Sequence, residues 1–293
     1  MATEIYQAIV DGILVGGVYA LMAVGLTLIF GVLDIINIAQ GILVVLGAYL
    51  SYSLSVQLHI GLFLGLLITV PAMFVLGVAI QVAFIRPLRG RERTAMTLLV
   101  TYAVALIIEG VLYRVYGPDD RELSASYVTS SVHVLGFYLP YIYLLGFGLA
   151  VVLVMALYLL LYRTRFGRSV RATMQDRTAA RLVGIDTSRV AALTFGVGVG
   201  VTAVGGMMFG ATNGGFNPNS GYDLISRLLA IIILGGLGSI GGALMASVFM
   251  LTVVSLVDVW SPNWANAVFY AALVLVLLIR PTGFLGRQAV RAE

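Results

Sequence analysis

The 293-residue sequence has no cysteine, which excludes disulfides, thiolate nucleophiles and cysteine-based metal sites. It has no lysine either, so all 17 positive charges are arginine. That absence removes phosphate-loop lysines and Schiff-base chemistry. Charge of any kind is scarce, at 10% of residues. No span holds a pair of carboxylates, and both histidines, His59 and His133, fall in predicted outer loops, so a membrane-embedded enzyme has little to work with. No basic residue precedes the first apolar run in "MATEIYQAIVDG", unlike a cleaved secretory signal.

What remains is hydrophobicity. Apolar residues make up 60% of the chain and the mean hydropathy is +1.04, beyond what a water-soluble domain carries. Apolar runs near 20 residues recur throughout, and each as a helix covers a hydrocarbon core of roughly 30 Å. The expectation is an all-α polytopic membrane protein, one domain over residues 1–293, with about eight transmembrane helices, one or two of them discontinuous or re-entrant. The net charge of +4 reflects topology rather than nucleic-acid binding. Fourteen arginines cluster at 86–93, 163–189 and 280–291, which places those segments in the cytoplasm. The acidic stretch Asp119, Asp120 and Glu122 then lies outside, available to a soluble partner. Glycines at four-residue spacing, such as Gly12/Gly16, Gly61/Gly65 and Gly206/Gly210, allow helices to approach closely.

Three segments carry more information. "GGLGSIGG" contains G-x-G-x-x-G at Gly236, Gly238 and Gly241, but residues 228–257 hold no charge, and a dinucleotide fold needs polar helix faces. A membrane turn explains it better. "GVLDIINIAQG" interrupts apolar sequence with Asp34, Asn37 and Gln40, which would share one broad face if helical. Polar groups and broken backbone are tolerated in hydrocarbon only beside protein or water. Asn37, Gln40 and Gly41 are therefore candidate pathway residues, with Asp34 as a cap; a plain connecting turn stays open. Glu109, inside the fourth apolar run, either lines the same pathway or bonds a neighbouring helix. Residues 163–189 form the longest cytoplasmic loop and read as a soluble helix suited to docking.

Within that loop, "TAARLVGI" resembles the E-A-A-x-x-x-G signature of permease subunits in bacterial ATP-binding-cassette importers, with Thr178 where glutamate is usual. "GLTLIFGVLDIINIAQGILVVLGAYL", "FNPNSGYDLISRLLAIIILGGLGSIGGAL" and "RPTGFLGR" are similar to segments of the LivH-type branched-chain amino acid permeases. Gln40 departs from the histidine frequent there. The resemblance implies a non-enzymatic transport subunit in the bacterial inner membrane, with a second related permease, two cytoplasmic ATPases and a soluble binding protein as partners. It implies no cofactor in this chain, ATP and magnesium being bound by the ATPases; without lysine no Walker A loop exists here. It also makes Ala172 to Gly184 the coupling helix, with Arg168, Arg171, Asp176, Arg177, Ala179 and Ala180 at or beside the ATPase surface. Branched-chain amino acids are the expected cargo; urea, short amides or another small polar solute, or an ATPase-independent channel or secondary transporter, are the alternatives.

Overall fold

The computed structural model describes residues 2–88, 93–123, 131–134 and 137–286. Arg89, Arg91, Arg287 and Arg291 of the arginine clusters lie outside them. The elements are α1 (Ala2–Leu33), α2 (Gln40–Gln57), α3 (Leu62–Ile80, continued by a π-turn Gln81–Ile85), α4 (Arg93–Tyr116), the strands β1 (Ser131–Val134) and β2 (Phe137–Pro140), α5 (Tyr141–Arg163), α6 (Arg165–Gln175), α7 (Arg177–Leu182), α8 (Thr187–Thr212), α9 (Ser220–Gly235), α10 (Ile240–Trp260) and α11 (Ala265–Ile279). Among the described residues, seven helical segments are long and apolar enough to cross a membrane: α1, α3 with its π-turn, α4, α5, α8, α10, and α11 with the preceding turn. The strands form a small antiparallel hairpin within the predicted outer segment, an element the apolar pattern did not announce.

The arrangement follows from where small residues fall. α1 and α8 are buried on almost every side and form the centre. A Cβ on Gly12 or Gly16 would lie 2.4 or 2.6 Å from the α10 backbone at Thr252 or Val248, and one on Gly206 would lie 2.2 Å from the Val44 carbonyl of α2. Backbone approach this close is how helices associate where lipid offers no hydrophobic gain. Gly61 and Gly65 meet no such neighbour, so that pair is not a packing seam. The outer helices α3, α4, α5 and α11 expose apolar side chains such as Leu67, Val111, Val152 and Leu275, as a lipid-facing surface requires.

The α9–α10 turn is built around Gly235 and Gly242, where a Cβ on Gly235 would sit 2.5 Å from the Gly242 carbonyl carbon. The segment after α11 folds back onto it. The amides of Phe284 and Leu285 donate to the carbonyls of Leu234 and Gly235 at 2.7 and 3.1 Å, satisfying groups that a helix end otherwise leaves unpaired. The glycine-rich stretch is thus a packed turn on the side of the arginine clusters. Gly238 touches Gly31 near the end of α1.

Candidate functional site

α1 stops at Leu33. The Asp34 amide still donates to Phe30 O at 2.8 Å, and Asp34 itself takes φ 55°, the left-handed turn that commonly closes a helix. Residues 34–39 are not helical, so Asp34, Asn37 and Gln40 do not share one helix face. Asp34 is exposed and caps nothing: the residue before α2 is Ala39, with no side-chain cap. Asn37 and Gln40, in contrast, have no exposed surface. Asn37 Nδ2 donates to Gln40 Oε1 at 3.2 Å, Gln40 Nε2 to Thr202 Oγ1 at 2.5 Å, and Thr202 Oγ1 to Gly198 O at 2.8 Å. The Gly198 carbonyl can only accept, which sets the direction of the whole chain and so orients both amides. Its free end is Asn37 Oδ1, buried with no partner among the described residues. Gly25 of α1 makes the room, since a Cβ there would lie 2.6 Å from Thr202 Oγ1 and 3.1 Å from Gln40 Nε2. Gly25 is eight residues before Leu33, about 12 Å along the helix. α2 therefore begins deep inside the fold rather than at its edge.

α9 is built the same way. The sequence Asn37-Ile-Ala-Gln-Gly41 at the start of α2 has a counterpart in Asn217-Pro-Asn-Ser-Gly221 at the start of α9. Asn217 Oδ1 accepts from the Ser220 amide at 3.2 Å, while its Nδ2 donates to Asp120 at 2.8 Å. The bridge between Arg121 and Phe216 ties the segment to the acidic outer loop. The two short helices meet at their first turns: a Cβ on Gly41 would fall 2.0 Å from Gly221 O and 2.9 Å from Ile225 N. The repeated Asn-x-x-x-Gly, at 37–41 and again at 217–221, is the sequence signal that pairs them.

Glu109 is half-buried on α4 and accepts from the Tyr222 hydroxyl of α9 at 2.6 Å. The pair borders a crevice lined by Ile38, Tyr102, Pro218 and Gly221. Further along α9, Arg227 donates to Tyr19 Oη at 3.0 Å and to Asn266 Oδ1 at 2.8 Å. These α9 contacts were not anticipated.

The segment expected to be one coupling helix from Ala172 to Gly184 is two helices. α6 ends at Gln175, and Asp176 starts α7 by accepting from the amides of Thr178 and Ala179 at 2.7 and 3.0 Å. Gly184, at φ 82°, closes α7: its amide donates to Arg181 O and that of Ile185 to Ala180 O, each at 3.0 Å, the double bond pattern of a Schellman stop. Ala180 is 3% exposed and packs into this chain. The exposed side of this loop carries instead Ala179, Leu182, Val183 and Gly184, with Leu182 84% and Val183 75% exposed. Arg168 is exposed, whereas half-buried Arg171 sits over the Tyr162 ring at 4.6 Å and donates to Leu161 O. Half-buried Ala172 lies on α6. Arg177 donates to Val32 O at 3.4 Å, and a Cβ on Gly31 would lie 2.9 Å from Met174 Cε. The loop carrying α6 and α7 thus touches α1 just before the break. Asp186 caps α8 through the amides of Ser188 and Arg189; those bonds, the Arg189 amide first, hold its carboxyl below the ordinary value.

The chain is 30% identical over 308 residues to the branched-chain amino acid permease BraD of Pseudomonas aeruginosa, covering 98% of both chains. It is 30% identical to LivH of Escherichia coli K12, covering 97% of this chain and 96% of that one. The autoinducer 2 import permease LsrC of Photorhabdus laumondii is 32% identical over 45% of this chain and 41% of its own. No solved structure matches. The family described as "Branched-chain amino acid transport system / permease component" matches residues 8–277, and the chain belongs to that family of multi-pass membrane transport subunits.

Proposed function

We propose that this chain is one permease half of an ATP-driven importer for branched-chain or related small amino acids in the bacterial inner membrane. It pairs with a second permease, two cytoplasmic ATPases and a soluble binding protein. The observation that carries the cargo assignment is the end-to-end similarity to BraD and LivH, against less than half of the chain for LsrC. In this reading α7 docks on an ATPase through Ala179, Leu182, Val183 and Gly184, with Arg168 beside them. Asp176, Arg171, Ala172, Arg177 and Ala180 hold that tip to the membrane domain. Movement of the tip reaches the end of α1 through Arg177 and Met174. From there it passes through the exposed turn at Asp34 to buried Asn37, Gln40 and Gly41, which pack against the first turn of α9. Parting of α2 from α9 at Gly41 and Gly221 brings the Asn37 and Gln40 amides to the passing solute, where they exchange hydrogen bonds without holding it by a full charge.

The test is to purify the tagged chain with its complex and measure ligand affinities of the cognate binding protein. Co-purifying ATPases, together with ATP hydrolysis stimulated by leucine-loaded binding protein, agree with the proposal. A binding protein that takes urea or a short amide and ignores leucine refutes the cargo; absence of any ATPase refutes the importer.

A further inference from the structure

The exposed faces of the outer helices carry mainly apolar side chains such as Leu67, Val111, Val152 and Leu275. α9 is amphipathic, and its exposed side carries Tyr222, Asp223 and Ser226, with Arg227 at its half-buried edge. Asp223 and Arg227 lie twelve and eight residues from the end of the helix at Gly235, about 18 and 12 Å along its axis. With the Gly235 turn taken as the cytoplasmic edge of a hydrocarbon core of roughly 30 Å, both charges fall near its middle. Asp223 makes no hydrogen bond or ion pair among the described residues, and Glu109 on the adjoining face of α4 is held only by Tyr222. Charges at this depth are too unfavourable in lipid to be left there, so they face water or protein.

The spacing adds chemistry. Residues four apart on a helix are neighbours on one face, so Asp223 and Arg227 present a negative and a positive group side by side. Yet they are not bonded to each other: Arg227 is turned to Tyr19 and Asn266. Those two neutral oxygens fix the guanidinium while leaving its charge unneutralised, and a planar guanidinium matches a carboxylate in two-point geometry. An α-amino acid carries an ammonium and a carboxylate a few ångströms apart, the complement of this pair.

We infer that the exposed face of α9 lines the water-filled pathway, and that Asp223 and Arg227 receive the ammonium and the carboxylate of a zwitterionic amino acid in transit. This rests on the importer reading above. It accounts for cargo recognised by its main-chain charges, with the side chain left to the crevice between α4 and α9.

The test uses the assembled importer in proteoliposomes. The chain has no native cysteine, so Ser226→Cys is a single reporter. The inference expects a water-soluble thiol reagent to modify it, and leucine delivered by the binding protein to slow that modification. Asp223→Asn and Arg227→Gln should each lower leucine uptake about tenfold or more, with docking-stimulated ATP hydrolysis retained. Tyr19→Phe and Asn266→Ala, which remove the supports of Arg227 but not its charge, should keep most of the uptake. A Ser226→Cys that no aqueous reagent reaches in any nucleotide state, while uptake proceeds, overturns the inference by placing this face against the partner permease. Normal leucine uptake by both charge variants overturns it too. If the parent importer carries no amino acid at all, the importer's cargo assignment fails, and the zwitterion assignment with it.

Discussion

The crossing of α2 and α9 can be tested with one methyl group. In Gly41→Ala the new Cβ is placed 2.0 Å from the Gly221 carbonyl oxygen and 2.9 Å from the Ile225 amide nitrogen. Both are backbone atoms, so no rotamer relieves the clash. An ordinary carbon–oxygen contact is about 3.3 Å, so the helices have to part by about 1.3 Å at their first turns. Overpacking of this kind destabilises by about 1–3 kcal/mol, which for a chain of this size lowers Tm by about 2–6 °C. The assay is thermal unfolding in detergent followed by the fluorescence of Trp260 and Trp264. Gly206→Ala, 2.2 Å from Val44 O, should behave similarly. Gly110→Ala, with nothing within 4 Å, should melt at or above the parent, since alanine favours helix by up to about 1 kcal/mol. A Gly41→Ala protein melting with the parent refutes the crossing.

Four further outcomes follow from the geometry. Gln40→Leu leaves both polar atoms of the Asn37 amide without a protein partner, so stability should drop by about 1–3 kcal/mol, read by the same melt, and uptake should fall. Ala180→Trp should impair folding of this chain, whereas Leu182→Asp should leave the melt unchanged and abolish co-purification of the ATPase; equal behaviour of the two contradicts the assignment of faces. Asp176→Ala removes the α7 cap, worth about 1 kcal/mol, and should raise amide exchange at Thr178 and Ala179 and weaken coupling of hydrolysis to uptake. The Asp186 carboxyl is held below its ordinary value of 3.8, so its contribution is present above that value and is lost as pH falls through the still lower folded value; protection of the Ser188 and Arg189 amides should persist at pH 5, and its loss there would count against the cap.

Much of this fold was legible from hydropathy, because helices in lipid must satisfy their own backbone and therefore announce themselves as apolar runs. The break after Leu33 was legible as well, through Asp34, Asn37 and Gln40 standing in apolar sequence. Other features were not. Whether a polar residue in such a break points to solvent or into the core depends on neighbours far along the chain, and Asn37 is fixed by Thr202 through Gln40. The inward face of α7 was misjudged for a related reason: Ala179 and Ala180 are equally small, and only the Asp176 cap and the Schellman stop at Gly184 decide which one packs inward. The charged face of α9 was hidden because residues 220–235 include a long apolar run, and the polar residues at its start, Tyr222, Asp223, Ser226 and Arg227, look like a helix end until the helix is seen to begin in the interior.

The most direct measurement is ATP-dependent uptake in proteoliposomes containing this chain, its partner permease and the ATPases, with the binding protein supplied outside. Labelled leucine, isoleucine or valine should accumulate only with ATP and binding protein together, and urea should not. Accumulation of urea without leucine, or leucine flux independent of ATP, would contradict the account.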